Sequence, residues 1–167
     1  PAVTHHDSAD VTRIEATRAQ LKQDGIRITA LAFHVAVLAR CLKEYKIFNA
    51  SLSADGRNLI LKSYVNIGIA VDTPQGLIVP VIRNADQKRI QEVSDEILDL
   101  GARARARRIR ATEMGGASMS ISSLGGIGGE AFSPIVNPPE VAVLGITRTE
   151  MRPVWDGQNF VPRRMVP

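Results

Sequence analysis

Cysteine is nearly absent from this chain. Cys41 is the single one among 167 residues, so neither an intrachain disulfide framework nor a cysteine metal site can form, and a reducing compartment is expected. Aromatic residues make up only 4%, which removes the stacking platforms on which single-stranded nucleic acids are held. No apolar run reaches the roughly 18 residues that a membrane span needs. The longest candidate, 31–42, is interrupted by His34 and Arg40. Histidine is also scarce. His5 and His6 are adjacent and point to opposite faces of an extended segment, a poor arrangement for one metal ion, and no metal site is expected. His34 and Cys41 lie about 10 Å apart along a helix that rises ~1.5 Å per residue, too far for a nucleophile and its base.

The chain has 44% apolar and 23% charged residues, a balance that suits one globular domain, 1–167, with a substantial core. Lys and Arg total 21 against 17 Asp and Glu, a net charge of +4. Most of that excess is local. Arg103, Arg105, Arg107, Arg108 and Arg110 follow Glu92, Asp95, Glu96 and Asp99 in what reads as one amphipathic helix. Acid first and base last complements the helix macrodipole, and Asp99 stands four residues before Arg103. A solvated helix face explains the run. Its rival, a basic nucleic-acid surface, would require salt-sensitive binding to unrelated oligonucleotides.

Residues 3–8 read as an extended lead-in. Asp10 is a candidate cap for a helix through Gln23 that Gly25 stops, and Thr29 opens a second helix with Leu31, Ala32, Val35, Leu38, Ala39 and Leu42 on one face. Val65, Ile67, Ile69 and Val71 alternate with smaller or polar residues. After a turn at 72–76 comes the apolar run 77–82, which predicts a strand pair. A long helix is expected over 90–109, with Ile90, Val93, Ile97 and Leu100 as its stripe. Strands are expected at 119–122, 141–146, 151–155 and 160–165, where Pro134, Pro138, Pro139 and Pro153 exclude long helices. This order points to a mixed α/β domain.

The glycine-rich stretch 122–131 tempts a nucleotide reading. Residues 126–131 satisfy G-x-G-x-x-A, but that chemistry needs a helix N-terminus to hold pyrophosphate, and the prolines downstream leave no room for one. No lysine follows the glycines, which excludes a phosphate loop, and no G-x-S-x-G elbow is present. A strand ending in Ser122 and Ser123 and followed by a pliant turn is what remains.

Several stretches taken together resemble the catalytic domain of the dihydrolipoamide acyltransferases, the core subunits of 2-oxoacid dehydrogenase complexes. They are Val3-Thr4-His5-His6-Asp7 with Asp10-Val11-Thr12, Phe48-Asn49-Ala50-Ser51-Leu52, and Asn66-Ile67-Gly68-Ile69-Ala70-Val71-Asp72-Thr73-Pro74 running on to Gly76-Leu77-Ile78-Val79-Pro80-Val81. Ile121-Ser122-Ser123-Leu124-Gly125-Gly126-Ile127-Gly128-Gly129 and Pro138-Pro139-Glu140-Val141-Ala142-Val143-Leu144-Gly145 complete the set. The likeness covers nearly the whole chain in order. Ile121–Gly125 and Pro153-Val154-Trp155-Asp156-Gly157 are most similar to the acetyl-transferring, pyruvate-type members.

The resemblance implies a chloramphenicol-acetyltransferase-like mixed sheet with flanking helices, assembled as homotrimers that build a larger core. It implies acyl, here acetyl, transfer from acyl-dihydrolipoamide to coenzyme A, with coenzyme A as substrate, the lipoyl group on a separate domain, and decarboxylase and dihydrolipoamide dehydrogenase components as partners. Neither nucleic acid nor membrane is implied. A serine at the position of Ser122 stabilises the tetrahedral oxyanion. Arg18, Thr29, Asp72, Ser122, Ser123, Gly145 and Thr147 fall at coenzyme A positions. Each also has a plain structural use: Thr29 as a cap, Asp72 in a turn, Arg18 on a solvated helix. The family's base histidine belongs to a His-x-x-x-Asp-Gly motif that these residues lack, and none of His5, His6 or His34 sits in one. Pro1 is no initiator and 160–167 is strand-like, so the sequence reads as a piece incomplete at both ends, inactive as it stands. The competing reading is a non-catalytic scaffold domain of the same fold.

Overall fold

The computed structural model describes residues 3–167. In chain order the elements are β1 (Ala9–Asp10), α1 (Thr12–Gln23), α2 (Ala30–Glu44), β2 (Ala50–Leu52), β3 (Leu59–Leu61), β4 (Ile67–Ile69), β5 (Val71–Thr73), β6 (Gly76–Ile78), β7 (Val81–Ile82), α3 (Ile90–Arg105), β8 (Met119–Ser123), β9 (Val143–Ile146), β10 (Glu150–Trp155) and β11 (Phe160–Val166). They fall into two compact units, one of residues 1–27, 123–133 and 145–167, the other of 28–122 and 134–144.

In the first unit, β11 lies between β1 and β10, antiparallel to both. The β10–β11 hairpin closes on Asp156, whose Oδ1 accepts the N–H groups of Gln158 and Asn159, both at 2.8 Å. Trp155 and Phe160 meet edge to face across the strands, with ring centroids 5.2 Å apart. Pro153 pairs with Pro162, on an edge strand and beyond the reach of β1, where the missing N–H groups cost least. Helix α1 starts one residue later than expected. Val11 is its cap, and Asp10 Oδ1 instead accepts the Thr12 N–H at 2.9 Å.

The second unit carries a four-strand sheet ordered β7-β4-β8-β9. β4 runs antiparallel to β7 and parallel to β8, with Ile67, Gly68 and Ile69 opposite Met119, Ser120 and Ile121. Helices α2 and α3 pack on each other, and Val35, Leu42, Ile67, Ile82, Val93 and Ile121 are the large, fully buried members of this core. Thr29 caps α2 as expected, its Oγ1 accepting the Ala32 N–H at 3.3 Å. The strand pair at 65–82 is present but divided. β5 and β6 form a hairpin around Pro74 and Gln75, with Gly76 at φ 115°, while Ala70 and Pro80 separate it from β4 and β7.

Two features of this unit escaped the sequence reading. The β2–β3 hairpin forms a sheet of its own, and Leu52, Leu59, Ile60 and Leu61 are each between 51% and 62% exposed, so no alternation announced it. Helix α3 ends at Arg105, not near 109. The Arg107 N–H donates to Ala104 O at 3.0 Å and the Arg108 N–H to Arg103 O at 2.8 Å, the paired bonds of a Schellman stop. The left-handed position within it, φ 58°, is held by Arg107 and not by glycine. Beyond the stop, Glu113 takes Arg103 at 2.8 Å and Arg110 at 3.1 Å. The Arg110 backbone N–H, then the two guanidinium groups, hold its carboxyl down at about 2.

A β-carbon in the left-handed region costs roughly 1 kcal/mol, more than an exposed arginine recovers from the helix dipole. Arg107→Gly is therefore expected to stabilise the protein by about 0.5–1 kcal/mol in urea unfolding. A loss of stability would show that the Arg107 side chain contributes contacts that outweigh the strain.

Candidate active site

Strand β8 delivers the two serines. Ala70 N–H donates to Ile121 O at 2.9 Å, which fixes the strand one residue before Ser122. Ser122 is half-buried, and its hydroxyl makes no hydrogen bond among the described residues. Ser123 is exposed, and its Oγ accepts the Gly125 N–H at a long 3.4 Å. No helix follows the glycines: 130–142 is irregular, with Gly128 and Gly129 both at φ 102°. A pyrophosphate cradle of the dinucleotide type is thus excluded, as the prolines indicated.

Three sequence-singled residues gather in the first unit. Leu124 N–H donates to Ile146 O at 2.8 Å, laying the glycine turn along the end of β9, which contains Gly145. A β-carbon on Gly125 would sit 3.6 Å from Ser123 Oγ and 3.7 Å from Thr147 O. Ser123, Gly125 and Thr147 are therefore neighbours. The Thr147 N–H donates to Pro167 O at 3.1 Å, while its Oγ1 is buried and has no hydrogen-bond partner among the described residues. Arg18, on α1 of the same unit, is engaged: its Nη1 lies 2.7 and 2.8 Å from the two carboxylate oxygens of Glu15. Its side chain remains 27% exposed.

The others belong to the second unit. The Thr29 N–H donates to Ser94 Oγ at 2.9 Å, tying the start of α2 to α3. Asp72 lies exposed on β5, opposite Leu77. Of the histidines, His5 and His6 are exposed, and His34 Nδ1 lies 3.0 Å from the Ala30 carbonyl of its own helix.

A polar cluster beneath β8 went unnoticed in the sequence. Ser120 Oγ donates to Glu140 Oε1 at 2.9 Å, Ser118 Oγ accepts the Asn66 N–H at 3.1 Å, and Ser51 Oγ donates to Pro139 O at 2.9 Å. Asn49 Nδ2 donates to Tyr64 O at 2.8 Å and Lys62 Nζ to Ala117 O at 3.2 Å. Burial raises the Glu140 pKa, against the pull of the Ser120 hydrogen bonds and of Lys62, and burial lowers that of Lys62. The available signal was a carboxylate directly before the apolar run 141–144.

The fold is similar to that of a solved chloramphenicol acetyltransferase, which matches 96% of this chain and 76% of its own length with a TM-score of 0.54 at 15% identity. The model of the family described as 2-oxoacid dehydrogenases acyltransferase (catalytic domain) matches residues 1–167, and the chain belongs to that family. It is 49% identical over 171 residues to the dihydrolipoyllysine-residue acetyltransferase component of the pyruvate dehydrogenase complex of Cupriavidus necator, covering 100% of this chain and 31% of that relative. The chain thus spans about a third of that relative's length. Two solved structures each match 98% of it, and 69% of their own chains, at 49% identity and a TM-score of 0.94. One is the dihydrolipoamide acetyltransferase of Azotobacter vinelandii, in which a serine, a histidine and an asparagine were investigated for their catalytic roles. The other is the cubic core of a pyruvate dehydrogenase multienzyme complex.

An orphaned buried hydroxyl costs free energy that an isosteric methyl does not. Thr147→Val is expected to raise the stability of the ligand-free protein by about 1 kcal/mol. Unchanged or lower stability in chemical denaturation would show that Thr147 Oγ1 has a partner in solution.

Proposed function

We propose that this chain is the catalytic domain of an acetyltransferase that passes the acetyl group of acetyl-dihydrolipoamide to coenzyme A, within the core of a pyruvate dehydrogenase complex. The observation that carries the reading is Ser122: a half-buried hydroxyl without a hydrogen-bond partner among the described residues, near the end of β8, at the position of the family's oxyanion-stabilising serine. The full-length family match and the acetyltransferase relatives support it. The cubic core reported for one similar protein supports assembly of this chain into a larger core; in this reading it does so as homotrimers, alongside decarboxylase and dihydrolipoamide dehydrogenase components and a lipoyl domain, in the bacterial cytoplasm.

The thiolate of coenzyme A attacks the thioester carbonyl, the new carbon–sulfur bond forms, and the oxygen takes a full negative charge. The Ser122 hydroxyl donates to that oxygen more strongly than to the neutral carbonyl, so its contribution falls on the transition state. Collapse breaks the bond to the lipoyl sulfur, which leaves with the proton taken from coenzyme A. That proton is carried by the histidine of a His-x-x-x-Asp-Gly motif, which the 167 residues do not contain. These residues are therefore inactive by themselves in this reading. Arg18 pairs with a phosphate of coenzyme A, exchanging one anionic partner, Glu15, for another, and Ser123, Gly145, Thr147, Thr29 and Asp72 stand at positions that the family resemblance assigns to coenzyme A binding. The other reading, a scaffold domain without catalysis, is favoured by no particular side chain.

In the protein that contains both this chain and the base histidine, Ser122→Ala is expected to lower kcat by about 10²–10³-fold with a smaller change in KM, and Ser123→Ala to be milder. If Ser123→Ala is the more damaging change, the assignment moves by one residue. The scaffold reading predicts no loss from either.

Calorimetric titration of coenzyme A tests Arg18. Arg18→Ala is expected to weaken binding by about tenfold or more and Arg18→Lys by less, because lysine supplies charge without the planar fork. Equal affinities in wild type and Arg18→Ala would remove Arg18 from the site.

A further inference from the structure

The carboxylate of Glu140 takes no part in the reaction above, yet it is the most deeply buried charged group in the described structure, at 9% exposure. One oxygen, Oε1, accepts the Ser120 hydroxyl at 2.9 Å; the other, Oε2, is buried without a hydrogen-bond partner among the described residues. Lys62 is the charged group that bears on it, and Lys62 Nζ is itself occupied with Ala117 O at 3.2 Å. A buried acid so incompletely matched stabilises a fold poorly. Replacing such groups with apolar residues of similar volume is often neutral or favourable, and what they supply in return is a defined position.

The position supplied here is that of β8. Ser120 and Ser122 are two residues apart on one strand, so their side chains leave the same face. Ser120 stands opposite Gly68 in the parallel pair β4–β8, and a β-carbon on Gly68 would lie 2.4 Å from Ser120 Oγ and 2.9 Å from Val79 Cγ1. The Ser120 hydroxyl thus occupies the space left by the absent side chain of Gly68 and is held there by Glu140. Glu140 is in turn fixed by its own segment: its N–H donates to Asn137 O at 3.1 Å, and the carbonyl of Pro139 accepts Ser51 Oγ at 2.9 Å. The tie joins the segment leading into β9 to the strand that carries Ser122.

We propose that Glu140 is a positioning residue for the transfer reaction, which through its hydrogen bond to Ser120 fixes the end of β8 so that the Ser122 hydroxyl meets the developing oxyanion. This rests on the reading of Ser122 as the oxyanion donor. A hydroxyl displaced by about an ångström forfeits most of a preorganised contact, an effect of up to roughly 10²-fold in rate.

The test is steady-state kinetics of the protein that contains this chain and the base histidine, with fold monitored by circular dichroism. Glu140→Asp, which withdraws the carboxylate by one methylene and keeps the charge, and Ser120→Ala are each expected to lower kcat by roughly 10–100-fold while KM stays within about threefold. Glu140→Gln, which keeps an acceptor at Oε1, is expected to restore kcat to within a fewfold of wild type. In a Ser122→Ala background, Glu140→Asp is expected to cause no further loss, because the donor it positions is gone. A full additional loss in that background overturns the positioning role while leaving Ser122 in place. A lowered Tm with unchanged kcat also overturns it, by showing that the tie serves stability alone. If Ser122→Ala itself costs nothing, the oxyanion assignment falls, and the role of Glu140 falls with it.

Discussion

Gly68 and Ser120 face each other in the parallel pair β4–β8, where the serine hydroxyl fills the space that any other residue at 68 would claim. Parallel strands give no hairpin to set their register, so close contacts of this kind must do so. The same strand turns the Ser120 hydroxyl to Glu140 and carries Ser122 two residues further on. Even alanine at 68 would place a carbon 2.4 Å from the Ser120 hydroxyl and 2.9 Å from Val79 Cγ1, so that relieving the clash means breaking the bond to Glu140. The glycine that matters most to this site therefore lies outside the glycine-rich stretch, in a strand where glycine is intrinsically unfavourable.

The charge of the chain is organised by similarly local ties. The acids and arginines of α3 lie in the order the helix dipole favours, and Glu113, beyond its end, gathers Arg103 and Arg110 around a carboxyl that stays ionised far into acid. Arg105, Arg107 and Arg108 stay exposed. The excess positive charge suggested by composition is thus partly spent within the helix terminus.

Much of this was legible in the sequence, for reasons that differ from residue to residue. Thr29 was read as a cap because threonine followed by an apolar face has few other uses, and the structure gives it that use through the Ala32 N–H. The prolines at 134, 138 and 139 excluded a helix after the glycines on covalent grounds alone. What was not legible depended on partners distant in sequence or on rules broken at a single residue. The early stop of α3 was missed because arginine, not glycine, takes its left-handed position. The β4–β7 and β5–β6 pairs read as one hairpin because the breaks at Ala70 and Pro80 are set by packing. Glu140 could be quoted from its motif but not understood until Ser120, 20 residues away, was seen at its oxygen. Arg18 was legible as a cation, and its engagement by Glu15 was not.

The β2–β3 hairpin bears on how the polypeptide behaves at high concentration. Two short strands with no third strand beside them leave backbone donors and acceptors open on both edges, and Leu52, Leu59, Ile60 and Leu61 surround those edges with aliphatic surface. Such segments template like with like. Asp55 and Arg57, exposed in the connecting loop, place charge beside the apolar strands, the gatekeeper pattern that natural chains place around stretches they cannot make polar. High salt, by screening these charges, weakens that protection before it touches the core.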